Sequence, residues 1–252
     1  MTRDTEVGII ELYGMISPNV RKVVILLEEL ELSYRLRHVG VFTGEQFTPA
    51  FLALNPLGKV PVLVDPGPGA TIFESGAILY YLAETYGGLF PDGGLARYEV
   101  MQWLMVQMAS IGPMLGQYNH FALLSEGAHP YSYARYRTQT ELLYRLLDDR
   151  LRDREWLAGD AYSIADIATW PWANHLEPHG FVAADHPGLL RWREKISTRP
   201  AVKRAMMRFD EEFGPPSRAS IAAATSADLD LFFARKAGAP QADFGGIRRL
   251  LK

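Results

Sequence analysis

The sequence predicts an α/β domain of order βαβαββα followed by an all-α domain. Three observations carry that prediction. The β-prone runs all fall in the first third of the chain and stop before Gly87-Gly88. Two long helical patterns with broad apolar faces dominate the remainder of the chain. Between these, residues 55–81 read NPLGKVPVLVDPGPGATIFESGAILYY, packing strand, turn, strand and helix start into one short stretch. At 252 residues the chain is long enough for two small domains.

Residues 7–13 are rich in Val, Ile and Leu and end at Tyr13-Gly14, as a buried strand does. Ser17-Pro18 then opens a helix, with Ser at the N-cap and Pro at the first helical position. Val20, Val23, Val24 and Leu27 recur at helical spacing, with Glu28-Glu29 at the polar edge. Residues 33–39 read as the second strand, and 40–54 as irregular with a short helix around Phe51. Val60-Pro61-Val62-Leu63-Val64 is the third strand. Its proline is tolerated if the preceding bond is cis and the strand edge faces outward. Val60 then keeps its backbone N–H and C=O for an extended peptide. After the Asp65–Gly69 turn, Ala70-Thr71-Ile72-Phe73 forms a fourth strand. Glu74-Ser75 opens a helix through Ile78, Leu79 and Leu82, stopped by Gly87-Gly88. This order is that of a thioredoxin-like domain over residues 1–88.

Residues 89–94 read as a linker and 95–213 as the helical domain. The helix at 95–118 carries Met101, Leu104, Met105 and Met108 on one side, with a bend expected at Gly112-Pro113. The helix at 131–153 carries Leu142, Leu143, Leu146 and Leu147. Shorter helices follow at 165–176, 188–197 and 201–213. Ser163-Ile164-Ala165-Asp166 is a structural N-capping signature with Asp at the usual Glu position. Trp170-Pro171-Trp172 predicts a kink packed by aromatics, and 148–155 a solvated helix end of alternating sign. Residues 214–252 form a C-terminal extension of small and polar residues. It has no clear helical face until 229–233 and a basic end at Arg248-Arg249, and its placement is left open.

Hydrophobic residues make up 48% and charged residues 22%, the balance of a packed protein. A net charge of −3 gives no reason to expect nucleic acid or an anionic membrane as partner. Cysteine is absent, which excludes a disulfide scaffold and a protein-borne redox thiol, so thiol chemistry belongs to a bound molecule. The start, MTRDTEVGII, lacks the apolar core of a secretory signal, and no apolar run nears the ~20 residues of a membrane span. A cytoplasmic protein is expected. His175 and His179 are separated by Pro178 and lack a third ligand, so no metal site is expected. There is no G-x-G-x-x-G, P-loop or G-x-S-x-G, and Met101, Met105 and Met108 read as core packing.

The wording NPLGKVP…FESGAI resembles the glutathione-binding half of the glutathione transferases. Glutathione is a peptide with two carboxylates, an ammonium and a thiol. The resemblance implies backbone pairing of its cysteinyl unit at Val60, in the manner of an added strand. Ser75, at a helix start, would hold a carboxylate with its hydroxyl and N–H. Glu74 would meet the γ-glutamyl ammonium, and Lys59 the glycyl carboxylate, with Gln46 as a second donor. Singly, Ser75 reads as a helix cap and Lys59 as a turn lysine; together at this spacing they read as a site. In this fold the first helix begins beside the thiol, which makes Ser17 and Asn19 the catalytic candidates. A free cysteine thiol ionises at about 8.5, and donors at a helix N-terminus lower that value. Ser17 also serves as a plain helix cap, whereas Asn19 has no structural necessity in the first turn.

SPNVRKV, GEQF, QWLMVQMASIGPMLGQ, PYSYARY and YSIADIATWPW extend the resemblance over most of the chain. They resemble the bacterial nu-class transferases, relatives of the yeast prion-type nitrogen regulator. That resemblance implies glutathione-dependent disulfide reduction, with two glutathiones or one glutathione disulfide in the site and Arg135 contacting the second. Ser17-Pro18-Asn19 replaces the class's Thr-Pro-Asn and keeps a hydroxyl. Tyr118 stands where the class carries Asn in Gly-Gln-Asn-His-His-Phe, and is expected to reshape the open side of the pocket. Members pair through their long helices, so a homodimer is expected, with small thiols, disulfides or electrophiles as the other partners. Two further functions stay open: conjugation or thioether exchange at an electrophilic carbon, and a non-catalytic glutathione-binding regulator with the extension as a partner-binding segment.

Overall fold

Alternating burial along β1 (Ile10–Gly14) turns Ile10, Leu12 and Gly14 inward and leaves Glu11 and Tyr13 half-buried. This is the first strand of the structure, a computed structural model that describes residues 8–122 and 129–235. Ser17 then caps α1 (Pro18–Glu29), its Oγ accepting the Val20 N–H at 3.2 Å. Val20, Val23, Val24 and Leu27 are all buried. Each such side chain removed from water is worth about 1.5–3 kcal/mol, which outweighs the modest helix propensity of valine.

β2 (Tyr34–His38) returns parallel to β1, with Leu12 opposite Leu36. Two short 3-10 turns and α2 (Pro49–Leu54) lead to β3 (Val62–Asp65) and β4 (Ala70–Phe73), which pair antiparallel. β3 also pairs antiparallel with β1, so the sheet order is β2-β1-β3-β4. The expectation of an outward-facing edge at the proline strand is therefore corrected. β3 is interior, and its ladder begins at Val62, one residue beyond the cis Val60–Pro61 bond. Pro61 thus owes the ladder no N–H. α3 (Ser75–Tyr86) follows.

The described residues divide into two compact units, the first comprising residues 8–82 together with 204–235, the second the described residues between. α9 (Pro200–Ala223) is where this departs from the linear reading, which ended that helix at residue 213. Pro215 and Pro216 lack N–H groups and read as a stop. The helix continues because Phe209, Phe213 and Ile221 bury apolar surface on both sides of them. Ile221 joins Met15, Val39, Val41, Phe42, Phe51 and Val62 in one cluster. Ala224 and, from α10 (Ser226–Phe232), Leu229 and Phe232 pack against it. Residues 204–235 are thus part of the first unit's core; the basic end at Arg248-Arg249 lies outside the described residues.

The second unit holds α4 (Gly94–Val106), α5 (Gly112–Ala122), α6 (Pro130–Leu151), α7 (Ile164–Ala173) and α8 (Pro187–Ser197). The irregularity expected at Gly112-Pro113 comes just before it, as a π-helical turn over Gln107–Ile111 with the Gly112 N–H on the Gln107 carbonyl. Pro113 offers no N–H to the preceding turn, and the widened turn takes up the mismatch. Met105 is exposed, not core, while Leu104 and Gln107 point inward. Part of the stretch read as a linker is built into this unit. Leu89 accepts the Ile164 N–H at 2.9 Å, and Phe90 is buried under the Arg97 guanidinium. The helix end read as solvated also gains a role, since Asp148 accepts the Leu189 N–H at 3.0 Å and caps α8. Among the described residues no helix is long and apolar enough to cross a membrane.

Candidate active site

Strand register brings the candidate residues of the first unit to one edge. Val62 lies opposite both Tyr13 and Phe73. Stepping outward along those antiparallel pairs sets Val60 and Pro61 beside the segment after Gly14 on one side and Glu74-Ser75 on the other. Residues distant in sequence therefore share the end of the sheet from which β1 feeds α1 and β4 feeds α3. Val60 makes no backbone hydrogen bond among the described residues, so both its groups are available to an extended peptide.

The turn before Val60 is held by Asn55, the first residue of the NPLGKVP stretch, a position given no role of its own from sequence. Asn55 is buried; its Nδ2 donates to the Lys59 carbonyl at 2.7 Å and its Oδ1 accepts the Leu57 N–H at 3.0 Å. Gly58 adopts φ +59°, and a Cβ there would come within 2.8 Å of the Phe47 ring and 3.1 Å of the Gln46 carbonyl. Glycine at this point lets the Gln46 and Lys59 turns touch. Lys59 is exposed. Gln46 is only 3% exposed, with Nε2 donating to the Val41 carbonyl at 2.9 Å and Oε1 buried without a partner among the described residues. The unpartnered Oε1 and the amide's second N–H are what it has left for a ligand, at a buried position.

Glu74 is an outlier of the backbone, with φ +70° on a side chain other than glycine. Such a conformation costs about 1–2 kcal/mol and clusters at binding sites. Its carbonyl accepts the Ile78 N–H at 2.9 Å, which makes Glu74 the cap of α3 and the buried Ser75 its first residue. The exposed Glu74 carboxylate has a hidden counterpart in Lys22. That lysine is wholly buried on α1; burial pushes its ammonium well below the usual lysine value, and the charge of Glu74 opposes the shift. The only trace of Lys22 in the sequence is a charge at the start of the apolar run from Val20 to Leu27. At the start of α1, Ser17 and Asn19 are both half-buried. The Ser17 oxygen that accepts from Val20 still has its proton to donate.

Two further candidates belong to the second unit. Arg135 is exposed on α6. Tyr118, expected to reshape an open pocket, is 2% exposed, with its hydroxyl 3.1 Å from the Tyr133 hydroxyl and donating to the His179 carbonyl at 3.3 Å. Burial and the Tyr133 contact push this phenol up to about 12. Within its unit Tyr118 is a packing residue, because an aromatic ring with two polar partners gains more from burial than from solvent. His179 is likewise occupied, its Nδ1 accepting from the Tyr144 hydroxyl at 2.8 Å and its Nε2 donating to Asn119 Oδ1 at 2.7 Å. Burial, reinforced by His175, lowers its pKa to about 3, so the ring is neutral.

A mixed four-stranded sheet of this order, followed by helices, defines a class: a thioredoxin-like unit with a helical partner, whose polar sheet end suits a short peptide. Within that class the chain belongs to the glutathione S-transferase family. Residues 9–84 match the description "Glutathione S-transferase, N-terminal domain" and 113–200 "Glutathione S-transferase, C-terminal domain". The chain is 42% identical over 204 residues to the disulfide-bond oxidoreductase YfcG of Escherichia coli, covering 79% of this chain and 95% of that one. A crystal structure of a glutathione transferase family member from Pseudomonas fluorescens, with two glutathiones bound, matches with TM-score 0.74 and 40% identity over 81% of this chain and 95% of that chain. A Pseudomonas putida glutathione transferase with one glutathione disulfide bound per subunit matches with TM-score 0.74 and 35% identity, covering 81% and 93%.

Proposed function

We propose that this protein is a glutathione-dependent disulfide-bond oxidoreductase of nu-class type, acting in the cytoplasm as a homodimer. The observation that carries the reading is the convergence of Val60, Glu74-Ser75 and the Ser17 turn at one sheet end of a chain without cysteine. The similarity to an oxidoreductase over 95% of its length and to transferases solved with glutathione or its disulfide supports it. Glutathione is the cosubstrate. Val60 pairs with its cysteinyl backbone, Glu74 with its ammonium, Ser75 and the α3 N-terminus with one carboxylate, and Lys59, with Gln46, with the other. Ser17 and Asn19 donate to the thiolate, which is the nucleophile.

The thiolate attacks one sulfur of a disulfide, forming a glutathione mixed disulfide and expelling the other sulfur as thiolate. A second glutathione thiolate attacks the glutathione sulfur of that mixed disulfide and releases the remaining substrate thiolate. One glutathione disulfide leaves, and the two glutathione protons end on the two product thiols. Arg135 holds the carboxylate of the second glutathione. A cytoplasmic setting follows from the reductant, which is kept reduced there. The dimer is supported by apolar side chains left exposed on α4 and α6, including Leu95 at 87%, Met105, Leu142 and Leu146. A monomeric mass by light scattering at micromolar concentration would remove that part of the reading.

The discriminating experiment compares turnover of a small model disulfide with conjugation of a chloronitrobenzene. Disulfide turnover is expected to be faster. Arg135→Ala should damage it more than conjugation, and Asn19→Ala should damage both. Robust conjugation without disulfide reduction would assign a conjugating transferase; glutathione binding with neither activity would assign a regulator.

A further inference from the structure

We propose that Ser217, on the part of α9 beyond the family match, is a positioning residue for the turn that presents Ser17. The family description of the helical domain ends at residue 200, yet the chain after it enters the heart of the first unit. Ser217 is completely buried, and its Oγ accepts the Ile16 N–H at 3.0 Å across 201 residues of sequence. Ile16 directly precedes Ser17. The three residues Met15-Ile16-Ser17 link the last residue of β1 to the first of α1, and no helix or ladder bond orders their amides. A half-buried N–H in such a link needs an acceptor, and Ser217 supplies it.

The surroundings repeat the arrangement. Gly14, the last residue of β1, leaves no room for a side chain, since a Cβ would meet Val20 at 2.6 Å and the Phe213 ring at 3.2 Å. Phe213 lies one helical turn before Ser217. Met15 packs in the same cluster as Ile221, one turn after Ser217. The Phe232 ring of α10 lies 4.3 Å from that of Phe42, and a Cβ on Gly44 would come within 3.3 Å of Leu231. The turn carrying Gln46 and the turn carrying Ser17 are thus both braced by the segment after residue 204. With the Ile16 amide pinned, the Ser17 backbone holds φ −153° and ψ 153°, the geometry that puts its Oγ on the Val20 N–H. Without the Ser217 oxygen the Ile16 peptide is free to rotate, and the Ser17 hydroxyl loses its fixed direction.

The proposal rests on the reading of Ser17 as thiolate donor, and the test separates the two. The ionisation of bound glutathione is followed by thiolate absorbance against pH in the full-length protein and in Ser17→Ala, Ser217→Ala and Ser217→Thr. Hydrogen exchange at the Ile16 and Ser17 amides is measured alongside. Ser217→Ala should raise the ionisation midpoint by roughly half a pH unit, a threefold change. It should lower kcat about 3- to 10-fold with the glutathione KM changed less than about twofold. Exchange at Ile16 should accelerate, and Ser217→Thr, which keeps the oxygen, should restore all three. If Ser17→Ala moves the midpoint and Ser217→Ala does not, the positioning role is overturned while the Ser17 reading stands. If Ser217→Ala moves it and Ser17→Ala does not, Ser217 still anchors the turn but Ser17 is not the donor. If neither moves it, both fall. Should Ser217→Ala fail to fold by circular dichroism, Ser217→Val fills the space without an oxygen and is read the same way.

Discussion

Asp166 in the helical unit and Glu74 in the thioredoxin-like unit are both carboxylates at helix starts, and they live opposite lives. Asp166 is fully buried and accepts from the Leu157 and Ser163 N–H groups, the Ser163 hydroxyl and the Trp192 indole N–H. Burial nonetheless pushes its pKa up to about 6 against those bonds. Glu74 is exposed, sits on left-handed backbone, and its carboxylate makes no hydrogen bond among the described residues. The same contrast separates His179, whose two ring nitrogens are both engaged, from Lys59, whose ammonium faces solvent. Polar groups that hold the fold are saturated from within. Glu74 and Lys59, both proposed to meet glutathione, are exposed instead, and Glu74 carries backbone strain that the rest of the unit must offset.

The largest test of this contrast is Asp166→Ala. It strands buried donors from three residues and removes one half of the α7 capping box, so a loss of about 3–4 kcal/mol is expected in urea unfolding of that unit. Glutathione affinity of the folded protein should hardly change. A large loss of affinity with stability intact would break the distinction between the two carboxylates.

Next in size is the acid response of His179. Its folded pKa, about 3, lies below the ordinary 6.5, so the unfolded chain binds the proton more readily between those values. Stability from this group is therefore present above pH 6.5 and is lost as pH falls toward 3. The faces around the ring are Tyr144, Asn119, Tyr118 and His175, none of which supplies a negative charge to offset protonation. His179→Gln should flatten the fall in thermal midpoint over that range; an unchanged slope would show that the ring is not the titrating group.

The smallest effect sharpens the contrast from the other side. Glu74→Gly should weaken calorimetric glutathione affinity about 10-fold, near 1.4 kcal/mol, by stranding the ligand's ammonium. Glycine accepts φ +70° without penalty, a gain of up to about 1 kcal/mol, but the variant also removes the charge that opposes the shift of buried Lys22, so it should unfold about as easily as the parent. Ser75→Ala should weaken affinity without that gain. Unchanged affinity in both variants would remove Glu74 and Ser75 from the site.

The amino-acid sequence by itself determined everything governed by neighbours a few residues apart. The Ser17 cap, the Ser163–Asp166 capping box and the strand–turn–strand before Glu74 all follow from side chains reaching backbone within one turn. The lack of cysteine placed the reactive thiol outside the chain. The interior place of β3, the burial of Lys22 beside Glu74 and the inward turn of Gln46 were decided only by tertiary structure. So were the Asp148 cap on α8, the continuation of α9 past Pro215-Pro216 and the Ser217–Ile16 bond. Local rules end the helix before two prolines and do not single out Lys22, because within a few residues nothing offsets a missing N–H or a buried charge. The offset comes from partners far along the chain, up to 201 residues away for Ile16, and packing selects those partners only once the whole unit has closed.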